Sequence, residues 1–242
     1  MEVYQTLAEF NKATAEFIVS EAKKTISGNG RFSLVFSGGQ TPLGIYSLLA
    51  KPYYSSRMQW ERIDLFWTDE RCVALTDERN NAHQVKVALF DKIQIPQANI
   101  HVIPVELPLA AAAYEETLAV FFGRQAPRFD LVLLGVGENG HTASLFPRTN
   151  VILEKSSGIR KVYVREEQSF RITMTAPLIN QARKVLFLVT GIKKAEILKK
   201  VFFSSFQPEN YPAQLISPGD GALLLFTDKS AASLLSERQM LS

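Results

Sequence analysis

The feature that most constrains this chain's fold is the alternation of short apolar runs with longer amphipathic segments. Strands of a parallel sheet consist of such apolar runs because helices cover both faces of the sheet. The pattern therefore predicts an α/β fold, with a mainly parallel, doubly wound (Rossmann-like) sheet and helices on both faces. The predicted strands are Phe32–Phe36, Ile63–Trp67, Leu131–Val136, Val185–Val189 and Leu223–Phe226.

The helices between these strands are predicted from their apolar periodicity and their end signals. Thr6 and Glu9 have the spacing of a capping box, so a first helix should start there and end before Gly28. Pro42 suits the first turn of a second helix that runs to about Ala50. No internal repeat or low-complexity linker interrupts the chain, so we expect a single domain over residues 1–242. Further expected elements are helices at about Ala82–Lys92, Ala110–Phe122 and Lys193–Phe203, near Thr175 and from Lys229, a strand near Lys161–Arg165, and a polar loop from Thr68 to Asn81.

Composition excludes several classes of protein. Of the 242 residues, 46% are hydrophobic and 21% charged, and the net charge is only +3. Because these charges are spread along the chain, we expect neither nucleic acid nor a membrane as a partner. The apolar runs are far shorter than the ~18 residues that a transmembrane helix needs. The start lacks a secretory signal and Cys72 is the single cysteine, so we expect a cytoplasmic protein. We also expect a monomer or a weak homodimer.

Three loops that follow predicted strands begin at Ser37, Thr68 and Gly135. In open α/β sheets, ligands bind at the carboxyl ends of the strands, so these loops should converge on a site. In the segment from Ser37 to Pro42, two glycines let backbone N–H groups approach an anion, and the next helix adds its positive end. The alternative is a tight turn in which Thr41 caps the helix and no ligand binds.

The segment from Gly135 to Gly140 matches the G-x-G-x-x-G pattern of dinucleotide-binding proteins. That site needs a helix of about three turns after the last glycine, but Pro147 comes seven residues after Gly140. We therefore reject a nicotinamide cofactor. His141 directly follows the loop, and imidazole is the natural base for activating water at neutral pH. The alternative is a purely structural histidine.

Neither a metal site nor covalent catalysis is indicated. The three histidines and one cysteine lack zinc-ligand spacing, and neither Ser37 nor Ser144 lies in a G-x-S-x-G motif. Asp69 and Glu70 adjoin Arg71, so local charge compensation is expected there rather than a cation site.

Three cations occur at intervals: Arg71 in the second loop, Arg171 before Ile172, and Lys194 at the start of a predicted helix. Arg71, Arg171 and Lys194, together with the loop at Ser37, offer the groups of a phosphate clamp. The residues alone thus predict a small phosphorylated anion as ligand and His141 as a candidate base, and they do not choose the reaction.

Five motifs, spread over nearly the whole chain, occur in the order of a known family. They are Ser37–Pro42, Trp67–Arg71, Gly135–Pro147, Arg171–Thr175 and Gly191–Ala195. In these motifs the chain resembles the 6-phosphogluconolactonases, an α/β family related to the glucosamine-6-phosphate deaminases. The G-H-T-A-S-L-F-P run is highly specific, whereas the first motif is shared with the deaminases.

The resemblance implies hydrolysis of a small phosphorylated sugar lactone, 6-phosphoglucono-1,5-lactone, to 6-phosphogluconate in the oxidative pentose phosphate pathway. It implies no metal, no cofactor and no covalent intermediate. His141 would activate water and then protonate the departing ring oxygen, with Asn139 orienting the imidazole and Arg71 facing the substrate. The implied substrate and phosphate contacts are Ser37, Gly38, Gly39, Thr41, Asp69, Arg171 and Lys194.

The chain departs from the family pattern at several positions. Asn139 stands where the family usually has aspartate, and an amide orients an imidazole without adding charge; a non-catalytic sugar-phosphate sensor is therefore one alternative. Glu167–Phe170 replaces the lysine and proline that often precede the arginine motif, and Asn80-Asn81 replaces the usual Ser-Asn pair. A deaminase is a second alternative, but its histidine needs a glutamate five residues later, where this chain has Phe146.

Overall fold

The computed structural model describes residues 1–123 and 125–240, and within them the strands form a six-stranded and a three-stranded sheet. The strands are β1 Glu2–Tyr4, β2 Phe32–Phe36, β3 Ile63–Trp67, β4 Asp69–Arg71, β5 Leu131–Leu134, β6 Ile159–Val164, β7 Ser169–Met174, β8 Lys184–Val189 and β9 Ala222–Asp228. The α-helices are α1 Leu7–Asn29, α2 Gln40–Leu49, α3 Pro52–Ser55, α4 Asn81–Ala88, α5 Ala110–Phe122, α6 Ala176–Ile179, α7 Ala195–Phe203 and α8 Glu237–Met240.

The larger sheet confirms the predicted α/β architecture. Its strand order is β1-β9-β8-β5-β2-β3, and its pairings are parallel. Strands β2, β3 and β5 are buried along their whole length, as expected for apolar runs that helices cover on both faces. Strands β2 and β3 and helix α5 have the predicted bounds.

The smaller sheet is a correction to the sequence-based expectations. Antiparallel pairing joins β4 to β7 and β7 to β6, so the predicted polar loop from Thr68 to Asn81 begins with a strand. The residues of β4 are Asp-Glu-Arg, which carry no apolar alternation. They become a strand because the edge of β7 supplies backbone partners, and such pairing between distant segments is invisible to local patterns.

Several helix ends also differ from the expectations. Helix α1 was expected to end before Gly28 but continues to Asn29. Gly30 ends it by adopting the left-handed conformation, with a φ of 80°. Helix α2 begins after Gly39, not with Thr41 as its cap. The expectation of a helix from Lys229 is wrong, because the chain forms turns there. The Asp228 carboxylate accepts the Ala231 N–H at 2.8 Å and closes the first of them.

The two sheets together determine where the strand-end loops meet. The order β8-β5-β2 puts the carboxyl ends of three neighbouring strands side by side. The smaller sheet is attached to this edge, because the Thr68 N–H donates to the Phe36 carbonyl at 2.9 Å and the Met174 N–H donates to the Thr68 carbonyl at 2.8 Å. None of the helices in the described ranges combines the length and apolar character needed to cross a bilayer.

Candidate active site

A cavity of about 350 Å³ lies at the carboxyl ends of the central strands. It brings together the loops that follow β2, β5 and β8 with the polar strands β4 and β7. Of the site residues expected from the sequence, Asn139 lies behind His141 instead of lining the cavity. The others line it: Ser37, Gly38, Gly39, Thr41, Asp69, Arg71, His141, Arg171 and Lys194.

The loop after β5 is a closed turn that presents His141. The Gly137 N–H donates to the His141 carbonyl at 2.8 Å, and the Gly140 N–H donates to the Gly137 carbonyl at 2.9 Å. Gly140 has a φ of +80°, which favours glycine. A Cβ at Gly137 would lie 2.1 Å from the His141 ring. The loop therefore needs these two glycines, one for its backbone conformation and one for space beside the imidazole.

Hydrogen bonding fixes the tautomer of His141. The Asn139 Oδ1 lies 2.6 Å from Nδ1 of His141 and also accepts the His141 backbone N–H at 3.2 Å. An atom that accepts a backbone N–H is the amide oxygen, so it also accepts from a protonated Nδ1. This leaves Nε2 of His141 as the basic nitrogen. The ring stacks on Phe146, with centroids 4.0 Å apart and planes inclined by 18°.

The environment keeps this imidazole neutral. Burial is the main cause that lowers the pKa of His141 to about 4; the charges of Arg171 and Lys194 act in the same direction, and those of Asp69 and Glu167 oppose the shift. A group with this pKa carries no charge at neutral pH, so the ring is already in the form that accepts a proton.

Arg171 lies in a buried charge network. Its Nη1 is 3.5 Å from Oδ2 of Asp69, and its Nη2 contacts the carboxylate of Glu167. Asp69 also accepts the Ser144 hydroxyl at 2.6 Å, and the Arg171 guanidinium lies 5.5 Å from the ring centre of Phe146. Charge compensation of Asp69 by Arg71 was therefore a wrong expectation: Arg171, which is 102 residues away in sequence, compensates it.

Glu70 anchors the strand β4 beneath the cavity. Its carboxylate accepts backbone N–H groups of Arg71, Asn81 and Ala82 at 2.8, 2.7 and 2.9 Å. Burial raises the pKa of Glu70 to about 7, while these three donors favour its ionised form. The N–H groups of Asn81 and Ala82 belong to the first turn of α4, where they have no acceptor within the helix, so Glu70 connects that helix to β4. The Arg71 guanidinium, above it, donates to the carbonyl of Arg79.

The loop after β2 is shaped by its glycines. Gly39 has a φ of +103°, and a Cβ at Gly38 would lie 1.9 Å from Oδ1 of Asn81. The Thr41 hydroxyl lies 2.9 Å from that of Thr190 and so links the first turn of α2 to the loop after β8. Lys194 precedes α7, and burial lowers the pKa of its ammonium group. These groups line one side of the cavity with backbone and hydroxyl donors and a cation.

Sequence reasoning missed several residues of the site. Asn81 and Thr190 line the cavity, and Ser144 holds Asp69. The replacement of Ser-Asn by Asn80-Asn81 pointed to the position of Asn81, whereas nothing local singles out Thr190 or Ser144. Within the described ranges, no group of three or more histidine, cysteine or carboxylate side chains could hold a metal ion.

Comparison with known proteins gives one family. The family model described as glucosamine-6-phosphate isomerases/6-phosphogluconolactonase matches residues 5–225. A 6-phosphogluconolactonase of Synechocystis sp. is 38% identical over 225 residues, which are 90% of each chain. One from Haemophilus influenzae is 39% identical over 202 residues, 82% of this chain and 85% of the relative. The crystal structure of a devB protein superposes with a TM-score of 0.89 at 30% identity, over 97% of this chain and 98% of the other.

Proposed function

This chain belongs to the family of glucosamine-6-phosphate isomerases and 6-phosphogluconolactonases, and on that premise we propose that it hydrolyses 6-phosphoglucono-1,5-lactone to 6-phosphogluconate in the oxidative pentose phosphate pathway. The observation that carries this proposal is the His141 imidazole, which is neutral, has Nδ1 held by Asn139, and lies in a cavity with the cations Arg71, Arg171 and Lys194. A neutral base beside an anion site is what a phosphorylated lactone requires.

In the proposed mechanism, Nε2 of His141 removes a proton from water as the water oxygen attacks the lactone carbonyl carbon. The tetrahedral intermediate then collapses, the bond from that carbon to the ring oxygen breaks, and the imidazolium returns its proton to the departing oxygen. Asn139 keeps the ring in the reactive tautomer throughout. Backbone N–H groups of the glycine loops are suited to stabilise the negative oxygen of the intermediate.

The phosphate end of the substrate is assigned to the cationic side of the cavity. Arg171 and Lys194 would bind it together with the loop at Gly38 and Gly39, where the positive end of the ten-residue helix α2 adds to the attraction. The hydroxyl of Thr41 would donate to the same group. Arg71, on the neighbouring strand β4, would face the lactone ring.

The position of Phe146 supports a lactonase over a deaminase. The aromatic ring stacks on His141 at the place in the sequence where the deaminases have a glutamate. A phenylalanine cannot hydrogen-bond the imidazole, so it gives none of the carboxylate support that deamination needs.

The test of this function is lactone hydrolysis, with the lactone generated in the assay by a glucose-6-phosphate dehydrogenase and spontaneous opening measured in buffer. We expect clear acceleration, and a kcat/KM for unphosphorylated gluconolactone that is lower by about 100-fold or more, because charged hydrogen bonds to the phosphate are then unmade. Binding of 6-phosphogluconate without any turnover would instead identify a sensor. Comparable rates on both lactones would contradict the phosphate clamp.

Replacing Asn139→Asp should leave kcat/KM at neutral pH unchanged or raise it. The wild-type rate should fall as the pH drops through about 4, because His141 is then protonated. A carboxylate on Nδ1 favours the imidazolium and raises the pKa of His141, so the acid limb of the variant should move to higher pH. The measurement is kcat/KM from about pH 3 to about pH 7. A large loss at neutral pH would show that the amide has a role of its own.

We further propose that residues 1–242 act as a single cytoplasmic domain, as a monomer or a weak homodimer. Support for a single domain comes from the cavity, since segments as far apart in sequence as Ser37 and Lys194 line it together. Sedimentation of the protein over a range of concentrations would test the oligomeric state. A tight dimer at every concentration would contradict it.

A further inference from the structure

Arg171 contacts two carboxylates that differ in exposure. The side chain of Arg171 is 5% exposed and that of Asp69 is 6% exposed, whereas the side chain of Glu167 is 41% exposed. Nε of Arg171 is buried and has no hydrogen-bond partner within the described ranges. The guanidinium thus pairs with the buried carboxylate of Asp69 and the exposed carboxylate of Glu167, and its Nε–H donates to neither of them.

The two carboxylates are also held differently. Asp69 lies on β4 and accepts hydroxyls of Ser144 and Thr68 at 2.6 and 3.2 Å in addition to its contact with Arg171. Glu167 lies in a single turn between β6 and β7, next to Gln168 with a φ of +48°. In the part of the chain that the structure describes, the hydrogen bonds and ion pairs of the Glu167 carboxylate are those to Arg171. Its side chain can therefore leave Arg171 without breaking any other polar contact.

The charges of the cavity make this carboxylate a competitor. A phosphate dianion at Arg171 would lie against the Glu167 carboxylate, and like charges so close repel each other strongly in a partly buried site. We propose that Glu167 occupies Arg171 when no substrate is bound and is displaced by the substrate's phosphate group. This inference rests on the proposed function, in which Arg171 binds phosphate.

A displaceable carboxylate affects only those ligands that reach Arg171. A phosphate group brings two charges and several acceptor oxygens, so it can replace Glu167 at the guanidinium. A sugar lactone without phosphate offers only neutral acceptors and leaves the ion pair in place. Glu167 therefore lowers the affinity for phosphorylated ligands, which must replace it at Arg171, and does not affect neutral lactones, which leave the ion pair in place; it is a residue that sets the KM for the phosphorylated substrate.

The test compares Glu167→Gln with Glu166→Gln. Glu166 is adjacent and exposed, and it lines a separate groove with Arg148 and Arg165, so its variant makes the same change in net charge away from Arg171. Inorganic phosphate and 6-phosphogluconate are titrated calorimetrically into each protein at low salt. We expect about five- to tenfold tighter binding of both ligands to Glu167→Gln, and a change below about twofold for Glu166→Gln.

Steady-state kinetics give the second readout. In Glu167→Gln, KM for the phosphorylated lactone should fall by about the same factor as the dissociation constants, with kcat within about twofold and kcat/KM for gluconolactone unchanged. Unchanged or weaker binding by Glu167→Gln, in a protein that hydrolyses the lactone, would overturn the inference and make Glu167 a support that positions Arg171. Tighter phosphate binding in a protein that hydrolyses no lactone would uphold the competition and reject the proposed function.

Discussion

His141→Ala is expected to lower kcat for lactone hydrolysis by about 10²- to 10⁴-fold, the usual range for removing a general base. The structure gives this histidine a fixed tautomer through Asn139, a stacking partner in Phe146 and a pKa of about 4. Among the described residues that line the cavity, none has the same combination: Lys194 is a cation, and Asp69 is engaged with Ser144 and Arg171. Binding of 6-phosphogluconate should change little, because the phosphate contacts remain.

The measurement is the initial rate of acid release or of coupled product formation, with the buffer rate subtracted because the lactone also opens spontaneously. His83→Ala is the matched control, since the side chain of His83 lies outside the cavity, beside the start of α4. It should retain full activity. If His141→Ala kept most of the acceleration, the reaction would stand but its base would have to be another group.

Gly137→Ala should cost about 100-fold in kcat, because displacing a catalytic group by about 1 Å has an effect of this size. A Cβ at this position would lie 2.1 Å from both Cε1 and Nδ1 of His141, and real Cβ atoms do not approach that closely. The imidazole would have to move away from Asn139 and Phe146. The φ of Gly137 is not in the left-handed region, so the expected loss comes from the displaced ring and not from backbone strain.

Gly135→Ala is the comparison for this variant. Gly135 belongs to the same loop, and a Cβ there would meet no heavy atom within 4 Å. Its loss of kcat should be smaller than that of Gly137→Ala by about tenfold or more. Thermal unfolding of both variants shows whether the loop still folds. Equal losses in two folded proteins would mean that the loop itself, and not the position of the imidazole, responds to the added methyl group.

The parallel sheet could be predicted because its signal is local. Runs such as Phe32–Phe36 and Ile63–Trp67 are apolar throughout, and only a strand covered on both faces buries such a run completely. His141 stood out for a related reason: it follows a glycine-rich turn at the end of a buried strand, where α/β proteins bind their ligands. The segment Glu167–Phe170 stood out as a departure from the family, but its contact with Arg171 could not be predicted.

The sequence by itself determined the α/β core, the order of the strand-end loops and the residue types that reach the cavity, because burial of apolar runs and the conformations of glycine turns depend on neighbours in the chain. Only the tertiary structure decided the partners of the charged groups. Strand β4 exists because β7 pairs with it, and that pairing brings Arg171 to Asp69 across 102 residues of sequence. Hydrogen bonds and ion pairs act over a few ångströms in space, so the distances that control the chemistry of His141 and Arg171 arise only when distant segments have folded together.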